Sequence, residues 1–117
     1  MPEPWRIIFY QGPTGSTPIG DFIDGLEEKV QAKVFGSIEL LKEYGVRLSA
    51  PHAKKLAGTN LWELRILGGG SSRIIYAILV ERKVILLNGF KKKQQKTPIR
   101  EIIKAQRRLT EYQTQII

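Results

Sequence analysis

The chain has 117 residues, a net charge of +8 and no cysteine. This length suffices for a domain that buries its own core, and we predict a single domain over residues 1–117. The absence of cysteine excludes disulfides, thiol nucleophiles and cysteine metal sites, while the excess positive charge indicates a nucleic acid, an acidic protein or an anionic membrane surface as partner.

The sequence contains neither an export signal nor a membrane-spanning segment. Residues 1–6 lack the apolar region of a signal peptide. The longest strongly apolar run, residues 74–80, is far too short to cross a bilayer. We therefore expect a cytoplasmic protein without a membrane partner.

The first part of the sequence predicts one strand and two helices. Residues 5–10 (WRIIFY) are aromatic and β-branched, which is typical of a strand. Thr17 followed by Pro18 has the form of a capped helix start, so residues 19–23 are predicted to form a helical turn or two. From Leu26 to Leu41 apolar residues recur every three or four positions, which predicts an amphipathic helix ending at Gly45.

Residues 61–90 predict an antiparallel meander of three strands, reached through an irregular connection at 45–60. Breaks at residues 68–72 and 81–82 separate short runs rich in Ile, Leu and Val. In the first run Trp62 and Leu64 share one face, and Glu63 and Arg65 share the other. This mixed polarity predicts a sheet covered by helices on one side and at least partly open on the other.

A basic segment follows the meander. Thr97–Pro98 predicts the start of a last helix reaching about Tyr112, with an apolar stripe of Ile99, Ile102, Ile103 and Leu109. Between residues 91 and 108 eight basic residues stand against one acid, Glu101; they are Lys91, Lys92, Lys93, Lys96, Arg100, Lys104, Arg107 and Arg108.

The basic segment predicts salt-sensitive binding of nucleic acid, because lysine and arginine neutralise phosphates and release counterions. The alternative is an ordinary solvated helix face. We favour binding because the charge is dense for a small domain. Phe90, next to the lysines, has two interpretations: a core residue like the other aromatic residues, or an aromatic platform on which a base stacks.

Arg65 and Arg73 form a second candidate site. They flank the glycine-rich turn, so a closed hairpin would direct both guanidiniums to one concave face. Arginine binds phosphate with two parallel hydrogen bonds and stabilises charge during phosphoryl transfer. Pairing of Arg65 with neighbours on the Glu63 side, or with an acidic residue of a helix, is an equally good interpretation. His52, the only histidine, has no neighbours at ligand spacing, so we predict no metal site.

The ordered strings LWELR, RIIYA and ILLNGFKKKQQKTPIREIIKAQRRL resemble the RelE/HigB toxin superfamily, in particular its phage-derived HigB-like branch. Upstream, DFIDGLEEKVQAKVFGSIELLKEYG and PHAKKLAG extend the resemblance over nearly the whole chain. The resemblance implies a small α+β fold. A twisted, mostly antiparallel sheet would carry two N-terminal helices on one face, followed by the basic C-terminal helix.

The resemblance also implies a function. Such toxins enter the ribosomal A site and cut mRNA, without a cofactor, by attack of a 2′-hydroxyl on the adjacent phosphate. A cognate antitoxin, expected to carry a helix-turn-helix DNA-binding domain, neutralises them. The catalytic residues implied are Arg65, Arg73, Lys91 and Lys92, and the RNA-binding residues are Lys54, Lys93, Lys96, Arg100, Lys104 and Phe90.

Asn88 departs from the pattern, because members of this branch often have histidine there and asparagine cannot shuttle a proton. The general acid is then Lys91, Lys93, His52 or a ribosomal group. Two further functions stay open. One is a non-catalytic RNA or ribosome binder derived from such a toxin, and the other is a ParE-like inhibitor of DNA gyrase.

Overall fold

A computed structural model describes residues 3–115 of the chain. The elements, in chain order, are β1 (Arg6–Phe9), α1 (Pro18–Asp24), α2 (Glu28–Tyr44), a 3-10 turn (Gly45–Arg47), β2 (Ala53–Lys55), β3 (Leu61–Arg65), β4 (Ser72–Leu79), β5 (Lys83–Lys91) and α3 (Ile99–Gln115). The predicted connection at 45–60 thus contains the additional strand β2. Within the described residues, no helix is long and apolar enough to traverse a membrane.

The five strands form one sheet in the order β1-β5-β4-β3-β2. β2, β3, β4 and β5 pair with their neighbours in antiparallel fashion, which confirms the predicted meander. β1 lies at the far edge and pairs with β5 in parallel. The sheet is therefore mostly antiparallel, and the fold is α+β as predicted.

Helices cover both faces of the sheet. On one face α1 and α2 bury Ile19, Val34 and Leu41 against strand residues such as Leu64 and Ile74. This arrangement confirms the prediction of two N-terminal helices on one side. The other face is less open than predicted, because Ala105 and Leu109 of α3 pack on a second cluster that includes Leu61, Ile75, Ile85 and Leu87.

Helix α3 is rotated relative to its predicted orientation. Ile99 and Ile103, assigned to its buried stripe, are 73% and 62% exposed, whereas Glu101 is only 7% exposed. Asn88 explains the rotation: its Nδ2 donates to the backbone oxygen of Glu101 over 3.0 Å and to Oε1 over 3.1 Å. These bonds hold the acidic side of the first helical turn against the sheet.

The far end of α3 is tied to β1 and β5. The Tyr10 hydroxyl donates to the carboxylate of Glu111, and Arg108 donates to the Leu87 carbonyl over 2.9 Å. Burial, with a smaller contribution from Glu111, raises the pKa of Tyr10 above its usual value. Burial also lowers the pKa of Arg108, whose guanidinium lies 5.4 Å from the centre of the Tyr10 ring.

The predicted helix boundaries are only partly reproduced. Gly45 ends α2 with a φ of +54°, a conformation that glycine adopts without strain. Thr17 precedes α1 but makes no side-chain capping hydrogen bond. The Thr97 hydroxyl, predicted as a cap for α3, donates to the Glu63 carboxylate of β3. This last contact lies at the candidate site.

Candidate functional site

A polar cleft of about 590 Å³ opens beside the start of α3. Its lining comes from β2, β3, β4 and the segment that follows β5. Five of the lining residues are basic and two are amides; they are Lys54, Arg65, Arg73, Lys92, Lys93, Gln94 and Gln95. We call this site the basic cleft.

The strand register explains why these residues meet. Arg65 of β3 lies directly opposite Arg73 of β4, and Lys54 of β2 lies opposite Glu63. Side chains of directly opposed residues project from the same face of a sheet. Lys92 continues beside β4, since its backbone N–H donates to the Ser71 carbonyl over 2.8 Å. The hairpin therefore closes as the sequence indicated and brings both arginines to one face.

Glu63 provides negative charge beneath the basic cleft. Its side chain is fully buried. Lys92 Nζ lies 3.2 Å from Oε1, and Arg73 Nε lies 3.6 Å from the same oxygen. Sequence reasoning treated acids near Glu63 only as partners for Arg65, and missed this role. The available signal was the position of Glu63, which shares a strand face with Arg65 although its neighbours are apolar.

The guanidiniums of Arg65 and Arg73 differ in the hydrogen bonds that they donate. Arg73 Nη1 donates to the Ser72 carbonyl over 2.9 Å and to the Gly70 carbonyl over 3.4 Å. The Nε atoms of Arg65 and Arg73 are both buried without a hydrogen-bond partner within the described residues, and Arg73 Nε has the Glu63 carboxylate 3.6 Å away as a counter-charge. A buried donor without a partner costs about 1–3 kcal/mol or more when charged. An anion in the basic cleft would supply the missing acceptor.

Lys91 and Phe90 lie outside the basic cleft. Consecutive strand residues project from opposite faces, so Lys91 diverges from Lys92. Lys91 lines a separate depression of about 220 Å³ with Val30 and Gly70. Phe90 is 8% exposed and packs in the cluster under α3. Its ring therefore offers no free surface for a base, in contrast to the prediction.

The remaining predicted RNA-binding residues surround the basic cleft or lie beyond it. Lys93 and Lys54 are exposed and contribute to its lining. Lys96 is exposed but does not line it. Arg100 and Lys104, on the first turns of α3, lie 3.9 Å and 3.7 Å from the Glu101 carboxylate. They extend the positive surface from the cleft along the helix.

His52, a candidate general acid, and Asn88, which replaces the histidine of the family pattern, lie apart. The carbonyl of His52 accepts a hydrogen bond of 2.8 Å from the Arg65 backbone, so His52 stands next to the cleft along β2. Asn88 is 2% exposed beneath α3, where it binds Glu101. The structure thus assigns Asn88 to holding the helix.

Known proteins resemble this chain in sequence and in fold. The family model described as "Phage derived protein Gp49-like (DUF891)" matches residues 21–110, a range that contains every lining residue of the basic cleft. Among solved structures, the chain is similar to one from the crystal structure of the archaeal RelE-RelB complex from Pyrococcus horikoshii OT3. The TM-score is 0.58 at 16% identity, over 78% of this chain and 98% of that chain. This likeness concerns the fold. No match was found among curated proteins.

Proposed function

Because the chain belongs to the phage-derived Gp49-like family and has the fold of a chain from a RelE-RelB complex, we propose that it is the toxin of a toxin–antitoxin pair and cleaves mRNA on the ribosome. The observation that carries the proposal is the convergence of Arg65, Arg73 and Lys92 in one cleft. The buried Arg65 Nε without a partner adds to it, since a scissile phosphate provides the acceptor oxygens that this donor lacks.

The chemistry proposed is an internal phosphoryl transfer. The 2′-oxygen of one nucleotide forms a bond to the adjacent phosphorus, the bond to the 5′-oxygen breaks, and the products are a 2′,3′-cyclic phosphate and a 5′-hydroxyl. The 2′-hydroxyl loses a proton, and the leaving 5′-oxygen gains one. The reaction needs alignment of these atoms and stabilisation of the pentavalent intermediate's charge. Opposed guanidiniums and a nearby ammonium supply that stabilisation.

Proton transfer is assigned to groups other than Asn88. Asn88 carries no titratable proton and is engaged with Glu101. Lys91, another candidate, faces a different depression. Lys93 lines the cleft and His52 stands beside Arg65. We propose one of these two residues, or a group of the ribosome, as general acid.

The basic residues around the cleft are proposed to bind the RNA phosphates on either side of the scissile phosphate. Lys54 and Lys93 lie at the cleft, and Lys96, Arg100 and Lys104 continue the surface along the start of α3. Each neutralised phosphate releases counterions, so binding should weaken steeply with salt. This surface would orient the message before cleavage.

The proposed protein partner is a cognate antitoxin with a helix-turn-helix DNA-binding domain. A chain of similar fold was solved in a RelE-RelB complex, which supports an antitoxin partner. A short neighbouring reading frame that encodes such a protein and restores growth when co-expressed would support the assignment.

Expression of the protein in growing bacteria tests the function. We expect growth arrest and mRNA cut within codons, with 5′-hydroxyl ends on the downstream fragments. Lys29→Ala, which removes one exposed charge from α2, is the matched control and should arrest growth as the wild type does. Salt-sensitive ribosome binding with intact mRNA would contradict cleavage and favour the non-catalytic binder. A DNA-damage response without cleavage would indicate gyrase inhibition.

The lysine run after β5 allows a finer test. Lys92→Met removes an ammonium from the cleft and should reduce the cleavage rate by about tenfold to a hundredfold. Lys91→Met removes the same charge one residue away, on the other side of the sheet. The cleavage rate should stay within about twofold of the wild type, because solvent screens the charge of Lys91 from a phosphate in the cleft. Primer extension on purified ribosomes measures both rates. Equal losses in the two variants would contradict the assignment of Lys92.

A further inference from the structure

We infer that Glu63 is a positioning residue of the basic cleft, which fixes Arg73, Lys92 and the loop of residues 92–97 around one phosphate. The expected effect of Glu63 on the cleavage rate rests on the proposed nuclease function. The geometric part, orientation of Arg73 and Lys92 by the carboxylate, holds independently of the reaction. The two parts can therefore be tested separately.

The first observation is the burial of Glu63 together with the origin of its partners. The carboxylate is 0% exposed. Oε1 accepts a hydrogen bond from Lys92 Nζ and lies 3.6 Å from Arg73 Nε. Oε2 accepts a hydrogen bond from the Thr97 hydroxyl. A buried carboxylate is tolerated only when opposite charges and hydrogen bonds compensate its lost hydration. Because these partners belong to β4 and to the segment between β5 and α3, Glu63 connects two other parts of the chain to β3.

The second observation concerns the loop of residues 92–97. Its first residue, Lys92, and its last, Thr97, both bind the same carboxylate. Between them Lys93, Gln94 and Gln95 are exposed and line the basic cleft. This loop has no helix or strand structure of its own. Glu63 therefore anchors both ends of the loop that forms one wall of the cleft.

The third observation is that Glu63 forms ion pairs with some of the basic residues of the cleft and not with others. Glu63 forms ion pairs with Lys92 at 3.2 Å and with Arg73 at 3.6 Å, and none with Arg65. The Nε atoms of both arginines are buried without a hydrogen-bond partner among the described residues. The Nε of Arg73 lies beside the Glu63 carboxylate, and its Nη1 donates hydrogen bonds to the carbonyls of Ser72 and Gly70. Arg73 and Lys92 thus have a buried counter-charge, whereas Arg65 has none within the described residues. Within residues 3–115, Glu63 is the one acidic residue whose carboxylate lies within 4 Å of a basic side chain that lines the cleft.

Glu63→Gln is the first test, because it removes the charge and keeps the shape. We expect the cleavage rate at saturating ribosomes to fall by about tenfold to a hundredfold, which is the loss typical of a misplaced charge-stabilising donor. The ribosome affinity should stay equal or increase, because a negative charge leaves a site for polyanions. A purely structural residue would lower the folded fraction without changing the rate per folded molecule. That result would overturn the inference.

Glu101→Gln is the matched control. Glu101 is also a buried acid, at 7% exposure, and pairs with Arg100 and Lys104 outside the cleft. We expect this variant to lose stability but to keep the rate per folded molecule. An equal fall in that rate for both variants would show a general effect of removing a buried acid, and would also overturn the inference.

A second pair of variants keeps the test usable if Glu63→Gln does not fold. Thr97→Val removes the hydroxyl donor to Oε2 and leaves the carboxylate in place, and should lower the rate severalfold. Thr97→Ser retains a hydroxyl and should restore it. Equal rates in the valine and serine variants would contradict the anchoring of the loop by Glu63.

A spectroscopic measurement separates this inference from the proposed function. In ¹⁵N NMR spectra the chemical shift of Arg73 Nε, which lies 3.6 Å from Glu63 Oε1, should change between the wild type and Glu63→Gln because the ion pair is lost. The Nε–H of Arg65, which Glu63 does not contact, serves as internal reference. If the wild type cuts no RNA but Arg73 responds in this way, the nuclease proposal fails and the positioning by Glu63 stands. An unchanged Arg73 signal in a folded Glu63→Gln overturns the positioning itself.

Discussion

Replacement of Arg65 by alanine is expected to lower the rate of mRNA cleavage on the ribosome by about a hundredfold or more. The expected change in melting temperature is small, because the Arg65 guanidinium Nε is buried without a partner and its removal leaves no other group unsatisfied. Primer extension on purified ribosomes measures the rate, and thermal unfolding followed by circular dichroism measures stability.

Two companion variants define what Arg65 contributes. Arg65→Lys keeps the positive charge but loses the planar pair of donors, so it should retain ribosome binding and recover only part of the rate. Arg73→Ala should also abolish growth arrest, but at a cost in stability, because it leaves Glu63 with one charged partner fewer. Full growth arrest by folded Arg65→Ala would refute the phosphate-binding role of this residue.

Replacement of Gly45 by alanine is expected to reduce the free energy of unfolding by about 3 kcal/mol, the sum of backbone strain and overpacking. Gly45 has a φ of +54°, and an added Cβ would lie 2.0 Å from Cε2 of Trp5. The indole has little room to move. It is 9% exposed, its backbone N–H donates to the Lys42 carbonyl over 2.7 Å, and Arg82 lies over its ring at 4.8 Å.

Gly36→Ala is the matched control for Gly45→Ala. Gly36 lies within α2, and a Cβ there would meet no atom within 4 Å. Alanine should stabilise the helix by roughly 0.5–1 kcal/mol, because it lowers the conformational entropy of the unfolded chain. Urea unfolding measures both changes. Destabilisation of similar size in the two variants would contradict the specific clash with Trp5.

The strands and the amphipathic helix could be predicted because they depend on local patterns. Runs of Ile, Leu and Val separated by glycines indicated the meander, and the spacing of Val30, Val34, Ile38 and Leu41 indicated α2. The pairing of Arg65 with Arg73 followed from closure of the hairpin. The resemblance to a known family then predicted the two N-terminal helices on one face of the sheet, which the structure confirms.

Features that depend on tertiary contacts were missed. β2 has three residues, two of them lysines, and carries no periodic signal. The rotation of α3 follows from the bond between Asn88 and Glu101, which periodicity does not show. The lysine run was interpreted as one group, although strand alternation continues through it and separates Lys91 from Lys92. Glu63 was overlooked because its partners lie 10 to 34 residues away along the chain.

The way the basic cleft is assembled has a consequence for the timing of toxicity. Its walls come from segments near residues 54, 65, 73 and 92–95, and its anchor includes Thr97. These segments pair only after the later strands exist. A nascent chain that has not been translated beyond Thr97 therefore has no complete site. Under the proposed function, the protein can cut mRNA only after Thr97 and the strands that form the cleft have been synthesised.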